Sequence, residues 1–184
     1  VKICVFCSSS ECIDEKFLRA GRSFGEELGR RGHELIYGGY GRGLMGEVAR
    51  GTHETGGTVT AVVPAIFDDE RFIYSGCSRV LHAPDLRTRK ALMQREADAL
   101  AVLPGGVGTY DELFDTLALI SLGELVKPLS VLDVDGFFAP LKALLDDGAA
   151  KGFIAEKTAA SLMFFAAPGE LLDAVEHGER LDNW

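Results

Sequence analysis

Ala99-Leu100-Ala101-Val102-Leu103-Pro104-Gly105-Gly106-Val107-Gly108-Thr109 stands near the middle of the chain and decides its fold. The first five residues read as a short buried strand. The glycine-rich turn behind them leads into Tyr110-Asp111-Glu112-Leu113-Phe114, the opening of an amphipathic helix. Strand, glycine turn and helix start together suit an anion. Glycines let backbone amides approach closely, and the unpaired amides and dipole of a helix N-terminus favour negative charge. Glu112, three residues inside that helix, then falls close to whatever the anion is attached to.

Outward from this stretch, strand-like runs alternate with helical patterns. Strands are expected at 2–7, 33–37, 58–63, 79–82, 99–103, 129–133 and 162–166, and helices at 14–31, 43–55, 85–97, 110–123, 137–150 and 168–177. This alternation implies right-handed crossovers and an α/β fold with a doubly wound, mostly parallel sheet and helices on both faces. Thr60-Ala61-Val62-Val63 and 99–103 lack polar alternation, as expected of strands covered on both sides. No repeat or linker interrupts the 184 residues, which suit a single domain over 1–184. The one long irregular stretch, 64–76, carries Asp68, Asp69, Glu70 and Arg71 and reads as a lid or an interface loop. In such folds ligands sit beyond the carboxyl ends of the strands, where the glycine turn lies.

Composition narrows the partners. A formal charge of −9 argues against a nucleic-acid binder, which would show a basic face, but leaves room for a small anion held by local arginines. No apolar run approaches the ~18–20 residues of a membrane span. The chain opens on a strand-like run with no basic-then-apolar leader, so cytoplasm is the expected compartment.

Three spellings invite other chemistries. Cys4-Val5-Phe6-Cys7 has the C-x-x-C form, but strand residues three apart point to opposite faces, and no second ligand pair completes a zinc site. These are expected to be buried or semi-buried free thiols. Gly21-Arg22-Ser23-Phe24-Gly25 spells a hydrolase nucleophile elbow, yet it falls inside a helix rather than at a strand-to-helix turn. Gly41-Arg42-Gly43-Leu44-Met45-Gly46 follows the second strand, and the next strand ends in Val62-Val63-Pro64, where a ribose-binding acid should stand. A tight turn lining a nucleotide pocket with Gly38 and Gly39 fits better than a dinucleotide site.

Pro84-Asp85 marks a helix start with an aspartate N-cap. Arg87, Arg89 and Lys90 crowd the following turns, where cations oppose the helix dipole unless an anion is bound. A solvated basic face partnered by Asp85 and Glu96 explains the same residues. Glu112 also carries two explanations, since Thr109-x-x-Glu112 spells a capping box that needs no chemistry at all.

Taken together, Gly38-Gly39-x-Gly41-x-Gly43-Leu44-Met45-Gly46, Arg89-Lys90-x-x-Met93 and Pro104-Gly105-Gly106-x-Gly108-Thr109-x-x-Glu112 resemble the signature of the LONELY GUY (LOG) family. Cys7-Ser8-Ser9-Ser10 and Val134-Asp135-Gly136-Phe137-Phe138 add to the likeness, which spans roughly residues 2–155. The family comprises cytokinin riboside 5′-monophosphate phosphoribohydrolases, long mislabelled as lysine decarboxylases. The resemblance implies a Rossmann-like fold, a homodimer, and hydrolysis of the N-glycosidic bond of adenosine 5′-monophosphate or an N6-substituted form. It assigns catalysis to Arg89 and Glu112, and substrate binding to Lys90, Gly105, Gly106, Val107, Gly108 and Thr109. It implies no metal and no cofactor, and nothing in the chain supplies a recognisable pyridoxal-phosphate site.

The chain also departs from the plant-like pattern. Asp85-Leu86-Arg87-Thr88-Arg89-Lys90 replaces Asp-Met-His-x-Arg-Lys, and Ala118 stands where a threonine is usual. The segment between Pro64 and Arg89 is longer, so the family's upstream glutamate has only Glu70 as a candidate. The phosphoribosyl end is intact and the base preference is open. The competing class is a nucleotide- or molybdenum-cofactor-binding carrier of the same fold. A carrier needs the anion loop but not the Arg89–Glu112 pair. Transfer of the phosphoribosyl unit to an acceptor other than water is a third reading.

Overall fold

Short apolar runs bounded by turns are buried as strands, and longer runs with helical periodicity cover them. The computed structural model describes residues 1–67 and 71–177. In chain order it contains β1 (Lys2–Phe6), α1 (Glu15–Arg30), β2 (Glu34–Tyr37), α2 (Gly43–Glu54), β3 (Thr58–Pro64), β4 (Arg79–Ala83) and α3 (Leu86–Glu96). Then follow β5 (Ala99–Val102), α4 (Val107–Ser121), β6 (Leu129–Leu132), α5 (Ala139–Ala150), α6 (Glu156–Ala160), β7 (Leu162–Phe165) and α7 (Pro168–Glu176). Single 3-10 turns lie at Ala65–Phe67 and Val134–Gly136.

The strands form one sheet in the order β4-β3-β2-β1-β5-β6-β7, with every neighbouring pair parallel. The chain winds outward from β1 to β4, returns to the centre at β5 and winds outward again to β7. The winding therefore reverses between β1 and β5, which pair as Val5 with Ala101 and Phe6 with Val102. A crevice must open there at the carboxyl edge, because the connections on its two sides leave in opposite directions.

Each face has its own core. Phe24, Leu28, Leu44, Val48 and Leu172 bring α1, α2 and α7 onto one face. Met93, Leu113, Leu117, Leu141 and Leu145 bring α3, α4 and α5 onto the other. Cys7 belongs to the first core and Cys4 to the second, both as buried free thiols. The C-x-x-C spelling is thus split across the sheet, as strand geometry requires. The hydrolase-elbow spelling lies within α1, where its glycines serve close approach to α2. A Cβ on Gly25 would meet the Val48 carbonyl oxygen at 2.2 Å.

Several expectations are corrected. Helix α4 begins at Val107, not at Tyr110, with Gly106 as its N-cap. Thr109 is therefore the third helical residue and Glu112 lies in the second turn, so the capping box does not form. The short α6 was not anticipated. The stretch 64–76 is less irregular than expected: it starts with a 3-10 turn and ends as a strap beside the Gly38–Gly41 turn. Gly41 N donates to Phe72 O at 2.8 Å and Tyr74 N to Gly39 O at 3.0 Å, around an antiparallel bridge between Tyr40 and Ile73. Asp68, Asp69 and Glu70 lie outside the described residues, as does the end of the chain from 178 to 184. No helix among the described residues is long and apolar enough to cross a membrane.

Candidate active site

Three elements meet at the crevice. The segment after β1 is held to the segment after β5 by Ser8 N donating to Pro104 O at 3.1 Å, and to α2 by Met45 N donating to Ser8 O at 3.0 Å. Gly43 opens α2 with φ +58, and a side chain there would meet the Ser9 and Ser10 carbonyls at 2.6 and 2.5 Å. Only glycine permits that backbone and that approach. The G-x-G-x-x-G spelling is therefore a tight turn that docks α2 against the mouth of β1.

The N-terminus of α4 faces the crevice. Gly106, Val107 and Gly108 are exposed, while Thr109 is buried beneath them. Gly105 is fixed by proximity, since a Cβ there would lie 2.1 Å from Thr109 Oγ1. Amides in the first turn of a helix have no carbonyl partner within it, so this exposed turn offers unpaired donors of the kind that suit an anion.

Beside it, α3 starts at the Asp85 N-cap, whose Oδ1 accepts from Thr88 N at 2.7 Å. Arg89 and Lys90 follow within the next turn. Arg89 Nη2 donates to Glu112 Oε1, an ion pair in which both side chains are almost wholly buried. Arg89 Nε, also buried, has no hydrogen-bond partner among the described residues. An orphaned buried donor carries a penalty of about 1–3 kcal/mol, which a bound ligand can relieve.

Burial dominates the electrostatics of Glu112. Its carboxyl is pushed up from 4.5 to about 7 by loss of water, against the opposing pull of Arg89. The thiols of Cys4 and Cys7 are held protonated, first by burial and then by the nearby Glu112 charge. Lys90 is differently engaged: its Nζ pairs with Asp111 Oδ2 at 2.9 Å and Asp115 Oδ1 at 3.2 Å. Burial disfavours the Lys90 charge, but the hydrogen bonds to both aspartates win and raise its pKa.

Two clefts flank Arg89. One, of about 490 Å³, is lined by Ser8, Ser9, Arg89, Lys90, Glu112 and the first turn of α4, including Gly106, Val107, Gly108 and Thr109. The other, of about 470 Å³, runs between the Gly38–Gly39 turn and the strap and is lined by Tyr40, Met45, Val63, Ile66, Phe72 and Ile73. Ser9, Met45, Phe67 and Arg89 belong to both. One end of the combined site carries most of the charged side chains and the first turn of α4, and the other is lined mainly by apolar and aromatic side chains.

The structure thus gathers Arg89, Lys90, Gly106, Val107, Gly108, Thr109 and Glu112 around one cleft, with Gly105 fixing the turn beneath. Sequence reasoning missed Tyr40 and Phe72, stacked with centroids 6.0 Å apart at the wall of the apolar cleft. It also missed Gln94 and Thr116, a buried polar pair joining α3 to α4. The only signal for Gln94 was its place one helical turn after Lys90.

A doubly wound parallel sheet with an exposed helix N-terminus at its switch point, and a two-ended cleft beside it, defines a Rossmann-like α/β protein whose cleft lies where such folds bind ligands. Residues 45–175 match a family model described as "possible lysine decarboxylase". The probable cytokinin riboside 5′-monophosphate phosphoribohydrolase LOGL1 of Oryza sativa subsp. japonica is 38% identical over 179 residues, covering 97% of this chain and 80% of that protein. LOG5 of Arabidopsis thaliana, a cytokinin riboside 5′-monophosphate phosphoribohydrolase, is 36% identical over 177 residues, covering 95% and 77%. Among solved structures, the molybdenum cofactor binding protein of Rippkaea orientalis superposes with TM-score 0.73 at 17% identity, covering 96% of this chain and 95% of that one. The molybdenum cofactor carrier protein of Chlamydomonas reinhardtii gives 0.71 at 22%, covering 96% of each. At such identities these two structures share the fold alone. The chain belongs to the LONELY GUY (LOG) family.

Proposed function

We propose that the protein hydrolyses the N-glycosidic bond of adenosine 5′-monophosphate or an N6-substituted form, releasing the base and ribose 5-phosphate. The observation that carries this is the buried Arg89–Glu112 pair standing beside the exposed first turn of α4. The 5′-phosphate rests on the amides of Gly106, Val107, Gly108 and Thr109, with Lys90 adding positive charge nearby. Holding the phosphate fixes the ribose, so binding energy remote from the bond positions the reacting carbon. As the bond breaks, its electron pair goes to the base nitrogen, which takes up a proton from solvent, and positive charge develops on the ribose. The Glu112 carboxylate faces that charge and receives a proton from the water that adds to the anomeric carbon. Arg89 holds Glu112 in place and steadies the anionic side.

The activity of the named relatives supports this reading, as does retention of the pair that a carrier does not need. The test is to incubate the protein with AMP and with N6-isopentenyl-AMP and follow base and ribose 5-phosphate by chromatography. Equal release of both products, strongly slowed by Glu112→Gln, is expected. Nucleotide binding with no base released would sink the hydrolase and favour a carrier. Ribose 5-phosphate missing while base appears would point instead to phosphoribosyl transfer.

The assembly proposed is a homodimer. Phe114 on α4, Leu122 at its C-cap and Val126 just beyond are all exposed. Light scattering on the wild type and on Leu122→Glu tests this, a dimer lost in the variant being the expected result.

A further inference from the structure

Helices α3 and α4 are tied together behind the catalytic pair by a polar chain with a defined direction. Gln94, on α3, is 5% exposed, and its Nε2 donates to Thr116 Oγ1 at 3.0 Å and to Asp115 Oδ2 at 2.9 Å. The Thr116 hydroxyl, fully buried, donates in turn to the backbone carbonyl of Glu112 at 2.8 Å. A hydroxyl has one proton; because it goes to Glu112, the oxygen must accept from Gln94. The Gln94 main chain is anchored as well, since its backbone carbonyl accepts from Lys127 Nζ at 2.7 Å. The same lysine donates to Arg95 O at 3.2 Å and Ala97 O at 2.5 Å, closing the end of α3. The helix that carries Arg89 is thereby pinned to the backbone of the residue that Arg89 must meet.

We propose that Gln94, acting through Thr116, is a positioning residue that sets Glu112 against Arg89. This rests on Glu112 being the reacting carboxylate. Buried polar pairs of this kind specify one helix register, because any shift leaves donors unsatisfied in an apolar interior. Neither side chain lines the cleft, so the effect on catalysis is transmitted rather than direct.

The charged and titratable groups facing Glu112 are Arg89 and Lys90 from α3, Asp111 from α4, and the thiols of Cys4 and Cys7 from the β1 side. Arg89 is the strongest influence lowering the carboxyl's pKa, so loosening the pair must move its titration upward. The experiment compares wild type, Thr116→Val, Thr116→Ser and Gln94→Met. It follows the Glu112 carboxyl by carbon-13 NMR from pH 5 to 9, together with kcat and KM on AMP. Val and Met keep bulk while removing the hydrogen bonds, and Ser restores the hydroxyl. Thr116→Val and Gln94→Met are expected to raise the carboxyl midpoint by at least about half a pH unit and to lower kcat by about tenfold or more, with KM little changed. Thr116→Ser is expected to recover both. Folded variants that titrate Glu112 at the wild-type midpoint would overturn the proposal. So would failure of both Val and Met variants to fold, which would assign the pair to the fold alone. If the wild type released no base, the hydrolase reading would fail, yet the carboxyl titration would still decide this one.

Discussion

Arg89 hydrogen-bonds directly to Glu112, and Glu112 nevertheless holds its proton up to about pH 7. Stripping water from a carboxylate 3% exposed outweighs one adjacent guanidinium. For a group that must act ionised, the free protein is inactive below this value and active above it. The acidic limb of kcat/KM on AMP is therefore expected near pH 7, rather than between 4 and 5 as for an exposed glutamate. Stability runs the other way. The folded state binds this proton more tightly than the unfolded chain, whose glutamate titrates near 4.5. Glu112 thus weakens the fold as pH rises from about 4.5 to about 7, and above 7 its contribution is flat. Denaturant titrations across that interval check the sign, and activity profiles check the midpoint.

Removing the charge without the shape separates chemistry from structure. Glu112→Gln keeps the side-chain volume and leaves the first turn of α4 untouched. It is expected to lower kcat on AMP by about 10²- to 10⁴-fold while nucleotide binding persists. Arg89→Ala is expected to lower kcat and to raise KM as well, because Arg89 borders both clefts. Calorimetric titration with AMP and single-turnover rates resolve these effects. Full activity in either folded variant would remove that residue from the mechanism.

Much of this arrangement could be read from local spelling, and the errors have physical causes. Strands β3 and β5 were legible because both faces are covered and their runs carry no polar alternation. The start of α4 was placed three residues late. Thr109-x-x-Glu112 spells a cap, but Gly106 takes the N-cap position and draws the helix back to Val107. That shift decides between two explanations of Glu112: a residue in the second turn cannot reach back to the helix's first amide, and its partner is Arg89. Gln94 and Thr116 were invisible, because an isolated glutamine on a helix says nothing of what faces it until the sheet sets the neighbouring helix beside it. The strap was invisible for the same reason: Tyr40 and Ile73 are paired by topology, not by pattern.

Two glycines of the anion turn should fail differently. At Gly105 a Cβ would overlap Thr109 Oγ1 at 2.1 Å and its Cβ at 2.5 Å, so Gly105→Ala must displace the base of the turn. A loss of about 1–3 kcal/mol is expected, the range for overfilling a well-packed site. At Gly108 a Cβ meets nothing within 4 Å. Gly108→Ala sits in the first turn of α4, where alanine favours helix by up to about 1 kcal/mol, so stability holds or rises. The added methyl narrows the cleft proposed to take the phosphate, and KM for AMP is expected to rise. Urea melts and steady-state kinetics on the two variants should give opposite patterns, one losing fold and the other only affinity.

Ser23 is exposed on α1, and its neighbour Gly25 is buried against α2. Ser23→Ala is expected to leave both activity and stability unchanged, within about 0.5 kcal/mol. Gly25→Ala places a methyl 2.2 Å from the Val48 carbonyl oxygen and 3.1 Å from Thr52 N, both backbone atoms of a helix that cannot yield locally. The two helices must separate, at a cost of about 1–3 kcal/mol. Because α2 opens at Gly43 against Ser9 and Ser10, that separation reaches the mouth of β1, and a higher KM is expected to accompany the lower melting temperature. Loss of activity in Ser23→Ala with the fold intact would instead revive a serine nucleophile and displace Glu112 from the centre of the mechanism.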